Sequence, residues 1–527
     1  MSISLKLPNL DTNPILLAET RAHKISEFIQ KLPFGDPIIA ATDLIDELQI
    51  LNSQKVAFTN RYNTLEQYRP TAIQIYQDLM PHFNNASLPL SKNEQSFADV
   101  AVQLWQEFAL GYKFALVDLQ NKILNINNSK TTAQVVHRAI HAFKEIALVN
   151  HLNYRNPPAS LWGELHQLYF CALQQGAEKL AVTDQLAQNN VSSVSLVYTQ
   201  VLLMALADPQ HLANSDIVKT DIYLSNIAEH AELRPLGLIE NPTGVFLVGL
   251  DGDKPPVPFT KNKDIPNGDT DILLLTVNLA RQIHHHLAAL QKGIIPNDGY
   301  LPGYALESHY EDLLSRLMKN FGKSQHRVFS RTKKSDGIEL GIGLMVAHHL
   351  IQEGTIHQTS LHQGETHQAA TQPSISNAAV SIKPSRWQVL NVSAGGFALR
   401  KFSSSQASIS IGDVVAMKNS KNKLWELAIL RWANTNEMNQ LDIGLELISP
   451  TASAISVHFV NSAIQGEALL LPEIIGLKQP ASLVVARGFC KLDDTLNIVD
   501  NTKTNKIQVN KLVERTSRFE RFQYILI

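Results

Sequence analysis

Lys323-Ser-Gln-His-Arg327-Val-Phe-Ser-Arg331-Thr-Lys333-Lys334 stands where the texture of this 527-residue chain changes. It holds five Lys/Arg and no acid in twelve residues, with Arg327 and Arg331 four apart. A guanidinium can fork two hydrogen bonds onto a phosphate and can also stack flat on a base. Two of them on one linker can close on an anionic nucleotide. The plainer reading of such a run is a solvated basic linker.

Downstream, from residue 337, the pattern is β. The runs Trp387–Asn391, Phe397–Lys401, Asp413–Lys418, Trp425–Trp432, Leu441–Ile448 and Ile455–Val460 are short and rich in β-formers. Their spacing predicts a small barrel or sandwich. Gln352–Lys383 interrupts it with His, Gln, Ser, Thr and Ala, which predicts a long flexible insertion outside the core. The β texture returns in Ser482–Cys490, Thr495–Val499, Lys506–Leu512 and Phe519–Ile527. Between two of the runs lies Asn391-Val-Ser393-Ala-Gly395-Gly396. Asn and Ser present short donors and acceptors, and Gly allows close approach by a ligand. Taken alone, this is an ordinary hairpin turn.

The two motifs together, in this order, resemble the PilZ domain, the bacterial cyclic di-GMP receptor module. Its signature is RxxxR just before a small β-barrel, then (D/N)xSxxG inside it. The later stretches Ile411-Gly-Asp-Val-Val-Ala, Leu427-Ala-Ile-Leu-Arg-Trp and Ile443-Gly-Leu-Glu-Leu-Ile resemble later strands of that barrel. The resemblance covers residues 323–460. It implies that Arg327 and Arg331 grip phosphates and stack on guanine. It implies that Asn391 and Ser393 hydrogen-bond the nucleotide, and that Gly396 leaves room for it. Binding would then order the Arg linker and re-pose the N-terminal region. Three departures are His326, where many PilZ domains carry another Arg, the long spacing from Arg331 to Asn391, and Asn391 itself, at a motif position where Asp is common and Asn is allowed.

Upstream, the first two hundred residues read as helices. In Leu161–Leu180 the apolar residues Leu161, Leu165, Leu168, Tyr169, Ala172, Leu173, Ala177 and Leu180 fall mostly three or four apart. Pro157-Pro158-Ala-Ser precedes it, a breaker pair followed by a cap residue. Similar stripes fill Ile38–Leu51, Tyr62–Met80, Val100–Leu119, Ala133–Leu148 and Val194–Leu206. After residue 215 a strand is expected at Gly244–Leu250 and a turn at Asp251-Gly-Asp-Lys-Pro-Pro. Helices are expected over Asp271–Gln291 and Ala305–Phe321.

Composition narrows the function classes. Lys+Arg 46 against Asp+Glu 48 leaves a net charge of −2, unlike a general nucleic-acid coat protein. Cys171 and Cys490 are too few for a disulfide framework, which fits a reducing compartment. No signal peptide or membrane span is expected. The 19 histidines are not expected to converge on a metal, and His357, His362 and His367, five apart, lack the i,i+4 spacing of a helical zinc pair and read at most as a weak metal-binding tract. Consecutive residues of a helix point about 100° apart, so His284, His285 and His286 diverge. His348 and His349, read in a strand, alternate faces. No GxxxxGK[ST], GxSxG or HExxH occurs, and Asp251/Asp253 read as a turn. Trp105, Trp162, Trp387, Trp425 and Trp432 read as core anchors. Arg431, just before the last, stands where it can face the same barrel surface as Ser393.

The expected fold is multidomain α+β. It comprises a mainly α-helical region (1–215), a small α/β segment (216–322), a PilZ-like antiparallel β-barrel (323–460, insertion at 352–385) and a C-terminal β-extension (461–527). The expected function is a cytoplasmic cyclic di-GMP receptor, with no catalytic residues, no metal and no cofactor. It would relay the second messenger through its helical region to a protein partner controlling surface motility, type IV pili or biofilm. No nucleic-acid polymer is expected as a partner. Two other classes stay open: a degenerate PilZ scaffold that binds no nucleotide, and an enzyme within the helical region.

Overall fold

The computed structural model describes residues 5–121, 128–184, 191–259, 266, 268–306, 310–322, 332–333, 336–362, 383–393, 395–401, 408–419, 424–460, 463–500 and 503–527. Residues 1–86 and 90–326 belong to one compact unit, and 327–527 to a second.

The first unit opens with eight helices: α1 (Ala22–Lys31), α2 (Pro37–Ser53), α3 (Phe58–Leu79), α4 (Lys92–Gln120), α5 (Ser129–Leu152), α6 (Leu161–Gln174), α7 (Val194–Leu206) and α8 (Asn214–Ile227). A two-residue ribbon, β1 (Val182–Thr183) with β2 (Val191–Ser192), separates α6 from α7. The apolar stripes face one another. Leu48, Leu65, Leu104, Phe108, Leu116, Ile140, Leu165 and Leu202 are fully buried. Each such large side chain contributes about 1.5–3 kcal/mol. A Ser91/Glu94 capping box starts α4.

The start of α6 departs from expectation. Ser160 is left-handed at φ 71° and its own side chain caps nothing. Asp253, from the turn far downstream, accepts from the Ser160 amide at 3.0 Å and the Gly163 amide at 2.8 Å. The turn that carries it belongs to a four-stranded antiparallel sheet of β3 (Glu232–Pro235), β4 (Val245–Gly249), β5 (Val257–Pro258) and β6 (Asp271–Leu275), in the order β3-β6-β4-β5. Helices α9 (Val277–Leu290) and α10 (Tyr310–Gly322) follow. The expected helix over Asp271–Gln291 therefore begins six residues late. Asp-Ile-Leu-Leu-Leu is a strand between two partners, with Ile272, Leu273 and Leu274 buried.

The second unit contains two closed six-stranded antiparallel barrels. The first comprises β8 (Gly337–Ile342), β9 (Ser385–Ser393), β10 (Gly396–Lys401), β11 (Val414–Asn419), β12 (Glu426–Thr435) and β13 (Leu441–Ser449). The short β7 (Thr332–Lys333) adds to β9. The second comprises β14 (Ser453–Phe459), β15 (Gln465–Leu471), β16 (Ser482–Ala486), β17 (Thr495–Asp500), β18 (Lys503–Arg515) and β19 (Phe519–Leu526). Around either barrel the strands follow one circuit: first, second, third, sixth, fifth, fourth. Ser453–Phe459, read above as part of the first barrel, instead pairs with β15 and β17 in the second.

Between β8 and β9 runs α11 (Leu344–His362). Gln352–His362 is thus helical rather than a flexible insertion, and His348 and His349 lie in a helix rather than a strand. The reason is legible: Leu344, Ala347, Leu350 and Ile351 recur at helical spacing, and all pack into the core shared by the two barrels. The rest of the predicted insertion, 363–382, lies outside the described residues. The chain leaves β8 after Ile342 and re-enters at Ser385, and Ser385 is paired with Leu340. Ser385, where the chain re-enters the sheet, is eight strand residues, or roughly 26 Å, from Ser393 at the other end of β9.

Candidate functional site

Two irregularities shape the wall of the first barrel. The register of β9 on β10 shifts between Ala398 and Leu399, leaving Leu390 as the extra residue. Trp387 and Val389, before this bulge, face the core and are buried. A one-residue slip flips the faces that follow. Asn391 and Ser393 accordingly stand half-buried on the outside. In β12 the register on β13 shifts between Leu430 and Trp432, so Arg431 is the extra residue there.

The result is a groove of about 280 Å³, lined by Asn391, Ser393 and Gly396 on one side and Arg431, Trp432 and Glu446 on the other. A row crosses four strands in register: Asn391, Ala398, Gly444, Trp432. Three strand spacings put its ends about 14 Å apart. Small residues make the floor. A Cβ on Gly444 would lie 1.8 Å from the Trp432 indole Nε1, so the ring lies directly across that glycine.

Gly396 answers to the barrel before any ligand. A Cβ there would come within 2.1 Å of the Leu445 carbonyl oxygen on the neighbouring strand, so pairing of β10 with β13 requires glycine. Beside it, the Ser393 hydroxyl donates to the Gly396 carbonyl at 3.4 Å.

Arg431 is the cation on the far wall. Its Nε donates to Glu446 at 2.5 Å, and its Nη2 reaches Glu514 of β18 at 2.6 Å. Burial works against its charge, and the two carboxylates outweigh it and hold its pKa above the ordinary value.

Arg327 and Arg331 lie outside the described residues. The chain just after them does not: Thr332 pairs with Val392 and Lys333 with Asn391. The long spacing between the two motifs is thus bridged by the sheet itself. Of the five predicted site residues, Asn391, Ser393 and Gly396 are brought together in the groove. Gly444, Ala398 and Glu446 were not foreseen. A glycine inside the apolar run Ile443-Gly-Leu was the signal that could have found the floor. Trp105, Trp387 and Trp425 are core anchors, whereas Trp432 is half-buried in the groove because the bulge at Arg431 turns it outward.

Buried histidines of the first unit are bound to tyrosines: His166 Nδ1 meets the Tyr198 hydroxyl at 2.6 Å. His286 Nδ1 meets the Tyr223 hydroxyl at 2.7 Å and its Nε2 meets Asp298 at 2.9 Å. Burial pushes the Tyr223 hydroxyl far above its ordinary range. Among the described residues no cluster of His, Cys, Asp or Glu is arranged to hold a metal, and no helix is long and apolar enough to cross a membrane.

Three family models match successive parts of the chain. The N-terminal domain of Cyclic-di-GMP receptor FimW matches residues 23–236. Its middle PilZ domain matches 245–382 and 357–454, which takes in both motif stretches. The FimW C-terminal beta-barrel domain matches 461–527. A curated relative, Cyclic-di-GMP receptor FimW of Pseudomonas aeruginosa, is 23% identical across 99% of this chain and 93% of its own length. No solved structure matches.

Proposed function

We propose, from the premise that the chain belongs to the Cyclic-di-GMP receptor FimW family and carries that family's PilZ barrel, that it binds cyclic di-GMP in the groove beside β9. One observation carries the placement: Thr332, the residue bonded to Arg331, is paired with Val392, between Asn391 and Ser393. A basic segment anchored at that point can reach a ligand lying on those two side chains. Consecutive Cα atoms are about 3.8 Å apart, and the pairing of Thr332 comes one residue after the RxxxR stretch in the chain.

In this reading Arg327 and Arg331 take the phosphates and stack on guanine, and Asn391 and Ser393 hydrogen-bond the nucleotide. Gly396 keeps β10 close enough to β13 for the groove to have a floor. No catalytic residue, metal or cofactor is assigned. The output is control of surface motility, type IV pili or biofilm through a protein partner of the helical region. Both thiols are free and buried, and burial pushes Cys171 up to about 11 and Cys490 to about 12; a place in the reducing cytoplasm is part of this reading.

The test is calorimetric titration of cyclic di-GMP into the full chain at near-physiological salt, which screens nonspecific anion attraction. Micromolar or tighter binding that falls by about 100-fold or more in Arg327→Ala/Arg331→Ala is expected, since each arginine supplies charge-assisted bonds worth about 1.5–3 kcal/mol. Absence of heat and of any thermal shift would instead make the barrel a scaffold without nucleotide.

A further inference from the structure

We infer that Arg431 is shared between the groove and the C-terminal barrel, and that a bound cyclic dinucleotide draws it away from Glu514; this rests on the nucleotide reading above. The guanidinium lines the groove with Asn391 and Ser393. At the same time it ties β12 of the first barrel to β18 of the second through Glu514 at 2.6 Å, and holds Glu446 at 2.5 Å. It sits on a bulge, which re-aims a side chain without the support of the regular ladder.

One cation here serves two carboxylates, and one of these, Glu446, lines the groove. A dianionic ligand entering there meets that carboxylate, and the Coulomb cost falls when the guanidinium turns toward the ligand. Its five N–H groups lie in one rigid plane. Its Nε and Nη2 are already taken by Glu446 and Glu514, so a two-bond grip on a phosphate or a guanine edge through that side of the fork requires one of those contacts to open.

Glu514 has somewhere to go. Directly across β19 it is in register with Arg521. The Arg521 side chain is buried and its Nε donates to Ser482 at 2.8 Å. Burial lowers its pKa, while the nearby charges of Glu514 and Glu446 oppose that. Arg431 therefore has two arrangements: pinned to Glu514, or turned to the groove with Glu514 left to Arg521. Linkage makes the coupling reciprocal. Whatever loosens Arg431 from Glu514 tightens nucleotide binding by the same factor by which nucleotide loosens that contact.

The experiment titrates cyclic di-GMP into four full-length proteins: wild type, Glu514→Gln, Arg431→Ala and the double variant. Glu514→Gln should bind tighter, by about fivefold or more. Arg431→Ala should bind weaker, by about tenfold or more. The double variant should match Arg431→Ala alone, because Glu514 acts only through that residue. Amide exchange over residues 509–515 should rise on ligand addition in wild type and stay flat in Arg431→Ala. If wild type binds and Glu514→Gln shifts affinity less than about twofold, the sharing is refuted while the receptor reading stands. An equal gain from Glu514→Gln with and without Arg431 refutes it as well. Failure of wild type to bind at all removes the receptor reading first, and the sharing with it.

Discussion

In the first barrel the outward row across the second, third, sixth and fifth strands reads Asn391, Ala398, Gly444, Trp432. In the second barrel the same four strands of the circuit read Leu469, Val484, Arg521, Glu514. The strand order is identical and the chemistry of the row is not. Small residues leave a floor in one barrel. In the other, Leu469 and Val484 are fully buried against Val414, Leu427 and Ile429 of the first. The comparison teaches that this circuit is a frame with a spare outer face. One barrel leaves a groove on that face, and the other uses it as a mount.

The largest expected effect would break the idea of a mount. Phe519 is fully buried in the shared core, so Phe519→Ala should cost about 3–5 kcal/mol. Denaturant unfolding should lose stability for both barrels in one transition. Two separate transitions, with the first barrel unmoved, would make them independent bodies. Next, Gly396→Ala puts a methyl against the Leu445 carbonyl and should cost about 1–3 kcal/mol. It should weaken nucleotide binding as well. Retained stability in thermal melts would mean that β10 can move off β13. Asn391→Ala should sharpen the contrast at smaller scale: about tenfold weaker binding in calorimetry, from one lost hydrogen bond to a charged ligand. Its unfolding midpoint should barely move, since the side chain is only half-buried.

The smallest effect is a pH dependence confined to the first barrel. Burial holds the Lys401 amine down to about 8, against an ordinary 10.5. The charged form is therefore disfavoured in the fold. The penalty is complete below about pH 8, shrinks as the folded-state group loses its proton, and is gone above 10.5. Lys401→Met should melt higher than wild type at pH 7, with the gap closing toward pH 10.5. A gap constant over that range would show that Lys401 is solvated in the fold.

Much of this was legible in the chain. The helical stripes from Ile38 to Leu206 and six β runs from Trp387 to Val460 coincide with helices and strands, though α4 begins eight residues before Val100 and α6 ends six before Leu180, because each carries one face of contact at its own period. Three things were hidden. The strand Asp271–Leu275 is buried between neighbours, so its apolar run lacks alternation and reads as the start of a helix. The helix Leu344–His362 carries its apolar stripe only in its first two turns, ahead of polar residues, and the β texture around it masked the change of period. The bulges at Leu390 and Arg431 leave no mark in composition, yet they decide that Asn391, Ser393 and Trp432 face outward. The motif residues could be named from sequence, but the floor beneath them could not, because Ala398 and Gly444 come together only through register.

The carboxylate of Asp253 closes the first turn of a helix that begins at Leu161, more than ninety residues earlier in the chain, and the next carbonyl, that of Lys254, meets His166 Nε2 at 2.8 Å. This bears on how the molecule can be dissected. A fragment cut at residue 215 would expose two bare amides and a buried ring nitrogen without its partner. The helical region is therefore not portable by itself. The natural unit for a partner search extends through α10, and an insoluble shorter fragment would report a missing cap rather than a missing partner.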